Sequence, residues 1–237
     1  MTLFAIGMIG LGILAFVYGD FALVWQPVPS WIPWRTFLAY LSGLIMVFGG
    51  VGLLFRATAA WSVRILFPYL IVWFLLKVPA LVVAPRMEAV WLGAGEIAVL
   101  LTGGWVLFAK LGGVTEDSPL KFATGERGIH LARILFAISL LPIGLSHIVY
   151  VTQTAELVPA WLPYRAGWAY LTGAGQIACG LGVLFSIFPR TGAFAEAGMI
   201  SLYLHSSFGV RRFWPPPAHD CRGRHSSFHG RSHQPHG

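Results

Sequence analysis

The chain has 237 residues, of which 57% are hydrophobic and 11% charged, whereas an ordinary soluble domain is about 25% charged. Too few polar side chains remain to coat a water-soluble helical core, and the composition is that of a membrane protein. The formal charge of +7 does not mark a nucleic-acid face, because five of the sixteen Lys and Arg lie beyond Val210.

The first stretch, "MTLFAIGMIGLGILAFVYGD", lacks a basic leading region and a small-residue cleavage site. It therefore reads as a retained first span and not as a signal peptide. A hydrocarbon core about 30 Å thick needs about 20 mostly apolar residues per helix. Four such runs come first, at about 2–18, 36–55, 63–84 and 89–109. The polar stretch "KLGGVTEDSPLKFATGER" follows, with Gly, Pro and several charges, and predicts an aqueous linker. Further apolar runs stand at about 129–150 and 166–188, with a weaker one at 191–208. Lipid offers no partner to a backbone N–H or C=O, and runs of this length without strict alternation select helices over a barrel.

One phrase occurs twice: "VPSWIPWR" at 28–35 and "VPAWLPYR" at 158–165. Setting 28–55 over 158–185 without a gap gives thirteen identities in twenty-eight positions, where composition alone gives roughly two or three. Trp31, Pro33 and Arg35 recur as Trp161, Pro163 and Arg165, and Gly43, Gly50 and Gly52 as Gly173, Gly180 and Gly182. A unit of four helices returns the chain to its starting side. The sequence thus predicts an all-α, polytopic transmembrane bundle of two tandem, parallel four-helix repeats related by an axis along the membrane normal. The expected divisions are a first repeat at 1–110, a linker at 111–128, a second repeat at 129–208 and a tail at 209–237. Glycines at helix contacts let backbones approach closely, which drives association in lipid.

Lys and Arg are counted by side for orientation. With a cytoplasmic N-terminus the inner loops hold Arg56, Arg64, Lys110, Lys121, Arg127, Arg133 and Arg190, against Arg35, Arg86 and Arg165 outside. Both Pro-Trp-Pro-Arg phrases then face outward, where indole rings prefer the water–lipid boundary.

The eighth helix expected after Ser201 is missing. Its place is taken by "HSSFGVRRFWPPPAHDCRGRHSSFHGRSHQPHG". A reading-frame change near Tyr203 accounts for this: read two bases later, with the free bases chosen to suit, the stretch yields "PAVLAAP", close to "PALVVAP" at 79–85. The rival reading is a metal site, because Cys221, His225, His229 and His233 recur every four residues. Pro215, Pro216, Pro217 and the neighbouring glycines oppose the helix that such a site needs, so the tail is expected to be disordered and the chain to hold no metal. The other cysteine, Cys179, lies in an apolar run, and with no CxxC pair a dithiol redox site is not expected.

Ionisable groups inside a bilayer are costly and mark candidate sites. Lys77 in "FLLKVPALV" and Glu96 in "LGAGEIAVL" fall in the outer halves of adjacent spans, where they could form an ion pair or act separately, with Lys77 snorkelling to the interface. His147 in "GLSHIVY" is placed to shuttle a proton, to bond a quinone carbonyl or simply to bond a backbone carbonyl. "GAGEIA" at 93–98 is echoed by "GAGQIA" at 173–178, where Gln176 does not titrate. No nucleophile triad, haem-binding His pair, flavin motif or phosphate-cradling loop is visible.

The stretch "LVPAWLPYRAGWAYLTGAGQIACGLGVLF", preceded by "IGLSHIVY", resembles the DoxX-like family of small bacterial integral membrane proteins, well over about 131–190 and less over 20–109. The resemblance implies four-helix bundles in the bacterial inner membrane, some of them similar to the membrane subunit of thiosulfate:quinone oxidoreductase. The family commonly has Glu where this chain has Gln176. Three functions are carried forward. The first is a membrane subunit of a quinone-linked oxidoreductase, with Glu96 and His147 near the quinone and electrons supplied by a partner subunit. The second is a structural or assembly protein. The third is a transporter or small-molecule binder with its site between the repeats, for which a helix broken at Pro79 would be the expected sign.

Overall fold

The computed structural model describes residues 1–187 apart from 23–24, 114–117, 119, 159–160 and 186. Its long helices are α1 (Thr2–Tyr18), α2 (Arg35–Leu54), α3 (Ala59–Val83), α4 (Glu88–Leu111), α5 (Gly125–Val149) and α7 (Arg165–Leu184). The short α6 (Val151–Leu157) and a 3-10 turn at Lys121–Ala123 lie between them. No strand is present among the described residues. The predicted run at 191–208, the missing eighth helix and the tail with Cys221, His225, His229 and His233 lie outside the described residues.

The apolar runs locate the helices to within a few residues. Two features differ from expectation. The linker is shorter than 111–128, because α5 begins at Gly125, and α6 adds a helical turn pair where a loop was expected. Four helices, α2 to α5, are long and apolar enough to cross a membrane, and α1 is a shorter apolar helix. Large apolar side chains such as Phe48, Ile65, Val72, Leu75 and Val82 are exposed along these helices, as lipid contact requires.

Each long helix packs antiparallel on the one before it. Residues 19–34, 84–87 and 150–164 consequently share one end, here the tryptophan end, and residues 55–58 and 112–124 share the other, the linker end. α1 to α4 form a closed group. Phe4 of α1 reaches Gly103 on α4, and the interior is filled by Met8, Met46, Leu66, Phe67, Leu70 and Ile97. α5 then packs on α4, and α7 on α5.

Glycine sets the closest helix contacts. A Cβ on Gly12 would stand 2.6 Å from Val47 Cγ2 and 2.7 Å from the Gly43 carbonyl oxygen. A Cβ on Gly144 would stand 2.7 Å from Ile177 Cγ1 and 2.6 Å from the Gly173 carbonyl oxygen. The same contact therefore joins α1 to α2 and α5 to α7, at positions shifted by 130 on α7 and by 132 on α5. Gly50 against Ala5 and Gly180 against Ala137 repeat it two turns away. α2 and α7 also begin alike: each is 20 residues long and is preceded by an aromatic residue in the left-handed region, Trp34 at φ 61° and Tyr164 at φ 53°. These are the only non-glycine residues with positive φ among those described, a conformation that costs about 1–2 kcal/mol for an L-residue. It turns a proline-rich approach into a helix within one residue.

Pro68 and Pro79 lie inside α3, and Pro142 inside α5. α3 runs unbroken through Pro79.

Candidate functional site

Lys77 and Glu96 come together across the α3–α4 interface, where each feels the other's charge. Lys77 is 8% exposed. It follows Trp73 by one turn on the buried face of α3, and Glu96 follows the Gly95 crossing of α4 on α5. Glu88, two turns before Glu96 on the same face of α4, adds a second carboxylate to its field.

His147 and Gln176 belong to a different interface. The Cβ of His147 lies 3.0 Å from where a side chain on Gly173 would begin. Gln176, one turn along α7 from Gly173, is 4% exposed. The four candidates are thus divided between two helix pairs, Lys77 and Glu96 in one, His147 and Gln176 in the other.

Glu88, the first residue of α4, is not among the candidates the sequence offered. Its two carboxylate oxygens are buried and accept no hydrogen bond. The Tyr150 hydroxyl at the end of α5 comes up beside them without reaching hydrogen-bond geometry. Next to Glu88 lies a pocket of about 420 Å³, with Pro85, Arg86, Glu88 and Trp91 on one wall and Leu141, Pro142 and Leu145 on the other. Trp91 Nε1 donates to the Pro85 carbonyl at 2.9 Å, which fixes the indole at the rim. The signal for Glu88 in the sequence was its spacing of eight residues from Glu96.

A second polar group was also missed. Between α1 and α2, Phe21, Ala22, Trp25 and Gln26 are buried. Gln26 Nε2 donates to Ser42 Oγ at 2.9 Å and to the Tyr69 hydroxyl at 3.2 Å, while its Oε1 accepts from the Ala22 N–H at 3.1 Å. Ser42 and Tyr69 share a further bond of 2.7 Å. Phe21, Trp25 and Tyr69 ring Trp73, with centroids 5.5, 6.3 and 6.2 Å away. Arg35 of the repeated phrase closes this end: its Nε meets Asp20 at 2.7 Å, and its Nη1 donates to the Val28 carbonyl. Trp31 and Trp161 are each 79% exposed. Pro33 and Pro163 bend the approach to α2 and α7, and Arg165 is exposed, with no ion pair among the described residues.

At the linker end, Arg64 donates to the Gly112 carbonyl at 2.6 Å and to the Gly113 carbonyl at 3.1 Å. A cation thereby meets the negative end of the α4 dipole. Trp105 Nε1 donates to the Ala123 carbonyl at 3.0 Å and ties the linker down.

A family model described as Domain of unknown function (DUF8561) matches residues 135–218, which takes in most of α5, then α6, α7 and the chain beyond them. No curated protein and no solved structure matches the chain. The family match carries no activity with it, and the DoxX-like resemblance of the same stretch stands as a proposal.

Proposed function

We propose that the chain is a DoxX-like multi-pass membrane protein, built from two tandem, like-facing helical units, that serves as the membrane subunit of a quinone-linked oxidoreductase. The linker end and the N-terminus lie in the cytoplasm, the tryptophan end lies outside, and the membrane is the bacterial inner membrane. The supporting observation is that Lys77 and Glu96, carried on apolar helices α3 and α4, lie close enough to feel each other's charge, and that the start of α4 lines a mostly apolar pocket. A charge inside a bilayer is retained where it moves a proton or meets a substrate. Quinone chemistry needs both: an apolar slot reached from lipid and groups that pass protons to the ring oxygens. Electrons come from a partner subunit. The equivalent glycine contacts of α1–α2 and α5–α7 support the duplication.

The test compares quinone reduction in membranes carrying the wild type and Glu96→Gln at equal protein level. A fall of at least tenfold is expected. Unchanged reduction removes the oxidoreductase reading.

A second reading, a structural or assembly protein, draws on the division of the polar candidates between two interfaces, where each pair orients its own helices. It expects a stable membrane partner on affinity purification and wild-type partner recovery with Glu96→Gln. The transport reading loses its expected sign, because α3 is continuous at Pro79.

A further inference from the structure

The pocket beside Glu88 has a definite polarity. It lies between the start of α4 and α5, lined by Pro85, Arg86, Glu88, Trp91, Leu141, Pro142 and Leu145. Further along the same interface the two helices meet closely at Gly95, where a Cβ would stand 2.9 Å from the Ser139 carbonyl oxygen and 3.2 Å from Pro142 Cγ. Trp91 is 44% and Leu145 46% exposed, so the mouth opens on the side of the bundle that faces lipid. A ligand therefore enters from the apolar phase.

Glu88 gives the lining unmatched acceptors. Both Glu88 oxygens are buried and without a hydrogen bond. Leaving a buried acceptor unmatched is costly, more so when it carries charge. A ligand that donates hydrogen bonds removes this cost, and one that only accepts them adds to it. The charge of the head group is also restricted. Arg86 in the lining opposes a cationic head, while Glu88 opposes an anionic one. A neutral ring hydroxyl satisfies all of these conditions.

We infer that the α4–α5 pocket binds the reduced, hydroxyl-bearing form of a lipid-phase quinone, with Glu88 accepting the hydrogen bond from the ring hydroxyl. The inference rests on the quinone-linked reading and deepens it by naming the oxidation state that the pocket holds. The flat ring packs against Trp91 and Pro142, and the tail leaves past Leu145. Tyr150, already beside Glu88, borders the same carboxylate from α5.

The full chain in phosphatidylcholine nanodiscs is titrated anaerobically with a short-tailed benzoquinol, with its dimethyl ether and with the oxidised quinone. The quinol is expected to bind at least tenfold more tightly than the ether, which keeps the shape and loses the donors. Glu88→Leu is expected to abolish that preference, and Glu88→Gln, which keeps a carbonyl acceptor, to retain part of it. Equal affinity for quinol and ether overturns the inference, as does an undiminished preference in Glu88→Leu. Should Glu88→Leu fail to fold, Leu145→Trp, which fills the mouth from α5, serves instead: at least tenfold weaker quinol binding supports the site, and unchanged binding overturns it. Displacement of the quinol by phosphatidylethanolamine added to the disc also overturns it, because the occupant is then a lipid ammonium. The two readings fail separately. Quinol preference without quinone reduction in membranes defeats the oxidoreductase assignment, and quinone reduction without quinol preference defeats the pocket assignment alone.

Discussion

The hairpin of α1 and α2 and the hairpin of α5 and α7 are packed by equivalent glycines, yet their tryptophan ends are finished differently. In the first, Phe21, Trp25 and Gln26 are buried, Gln26 bonds Ser42 and Tyr69, and Arg35 closes on Asp20. In the second, the chain forms α6, Glu156 stands at the position of Gln26 and is exposed, and Thr172, at the position of Ser42, bonds back to the Trp168 carbonyl of its own helix at 2.8 Å. The first hairpin has α3 and α4 against it and can satisfy a buried amide. Among the described residues the second has α4 and the short α6 beside it, and Glu156 and Thr172 stay at the edge. A like backbone contact thus stands in both hairpins while the side-chain chemistry around it differs, because a glycine contact tolerates no added atom while a polar position adapts to whatever covers it.

Breaking the shared contact should have the largest effect. Gly12→Ala and Gly144→Ala each force a Cβ against a facing backbone oxygen, and each is expected to cost about 1–3 kcal/mol, read as a lower midpoint of thermal unfolding in detergent. A loss confined to one of the two would show that the hairpins are not equivalent.

The next comparison is between Gln26→Leu and Glu156→Leu. The first strands the Ala22 N–H and removes both side-chain bonds to Ser42 and Tyr69, with an expected cost of about 1–3 kcal/mol. The second, at an exposed position, should stay within about 0.5 kcal/mol of wild type. Comparable losses would break the contrast between a buried and a solvated end.

Arg35→Ala and Arg165→Ala sharpen it further. Arg35 loses a partly buried ion pair and a bond to the Val28 carbonyl, at about 1 kcal/mol, whereas the exposed Arg165 falls in the range of about 0–0.5 kcal/mol. Urea or thermal midpoints of the two variants check the ordering. The smallest effect is expected at the two exposed indoles. Trp31→Cys and Trp161→Cys should each keep wild-type stability within about 0.5 kcal/mol. Both should be labelled by an impermeant thiol reagent from the same side of the membrane. Labelling from opposite sides would end the like-facing arrangement of the two units.

The helices were legible in the sequence because lipid imposes one rule on every residue of a span: runs of apolar residues near 20 long must satisfy their own backbone. The repeated phrase was legible too, since the residues that turn the chain into α2 and α7 are fixed by backbone conformation at Trp34 and Tyr164. Lys77 and Glu96 stood out as charges in oily runs. Glu88 did not, because at the mouth of a helix a carboxylate resembles an ordinary first-turn acid. Gln26 and Ser42 were hidden for the same kind of reason: a glutamine in a polar loop looks solvated until the loop folds inward.

Composition and periodicity by themselves determined that this chain is helical, apolar enough for a bilayer and repetitive, since those properties depend on local spacing and on the solvent. Only the tertiary structure decided which polar groups meet. It brought Lys77 into the field of Glu96, set His147 and Gln176 at another interface, and left the Glu88 oxygens without a hydrogen bond. Those outcomes depend on helix rotation and on which neighbour covers each face, and rotating a helix by one residue, about 100°, exchanges a buried side chain for a lipid-facing one.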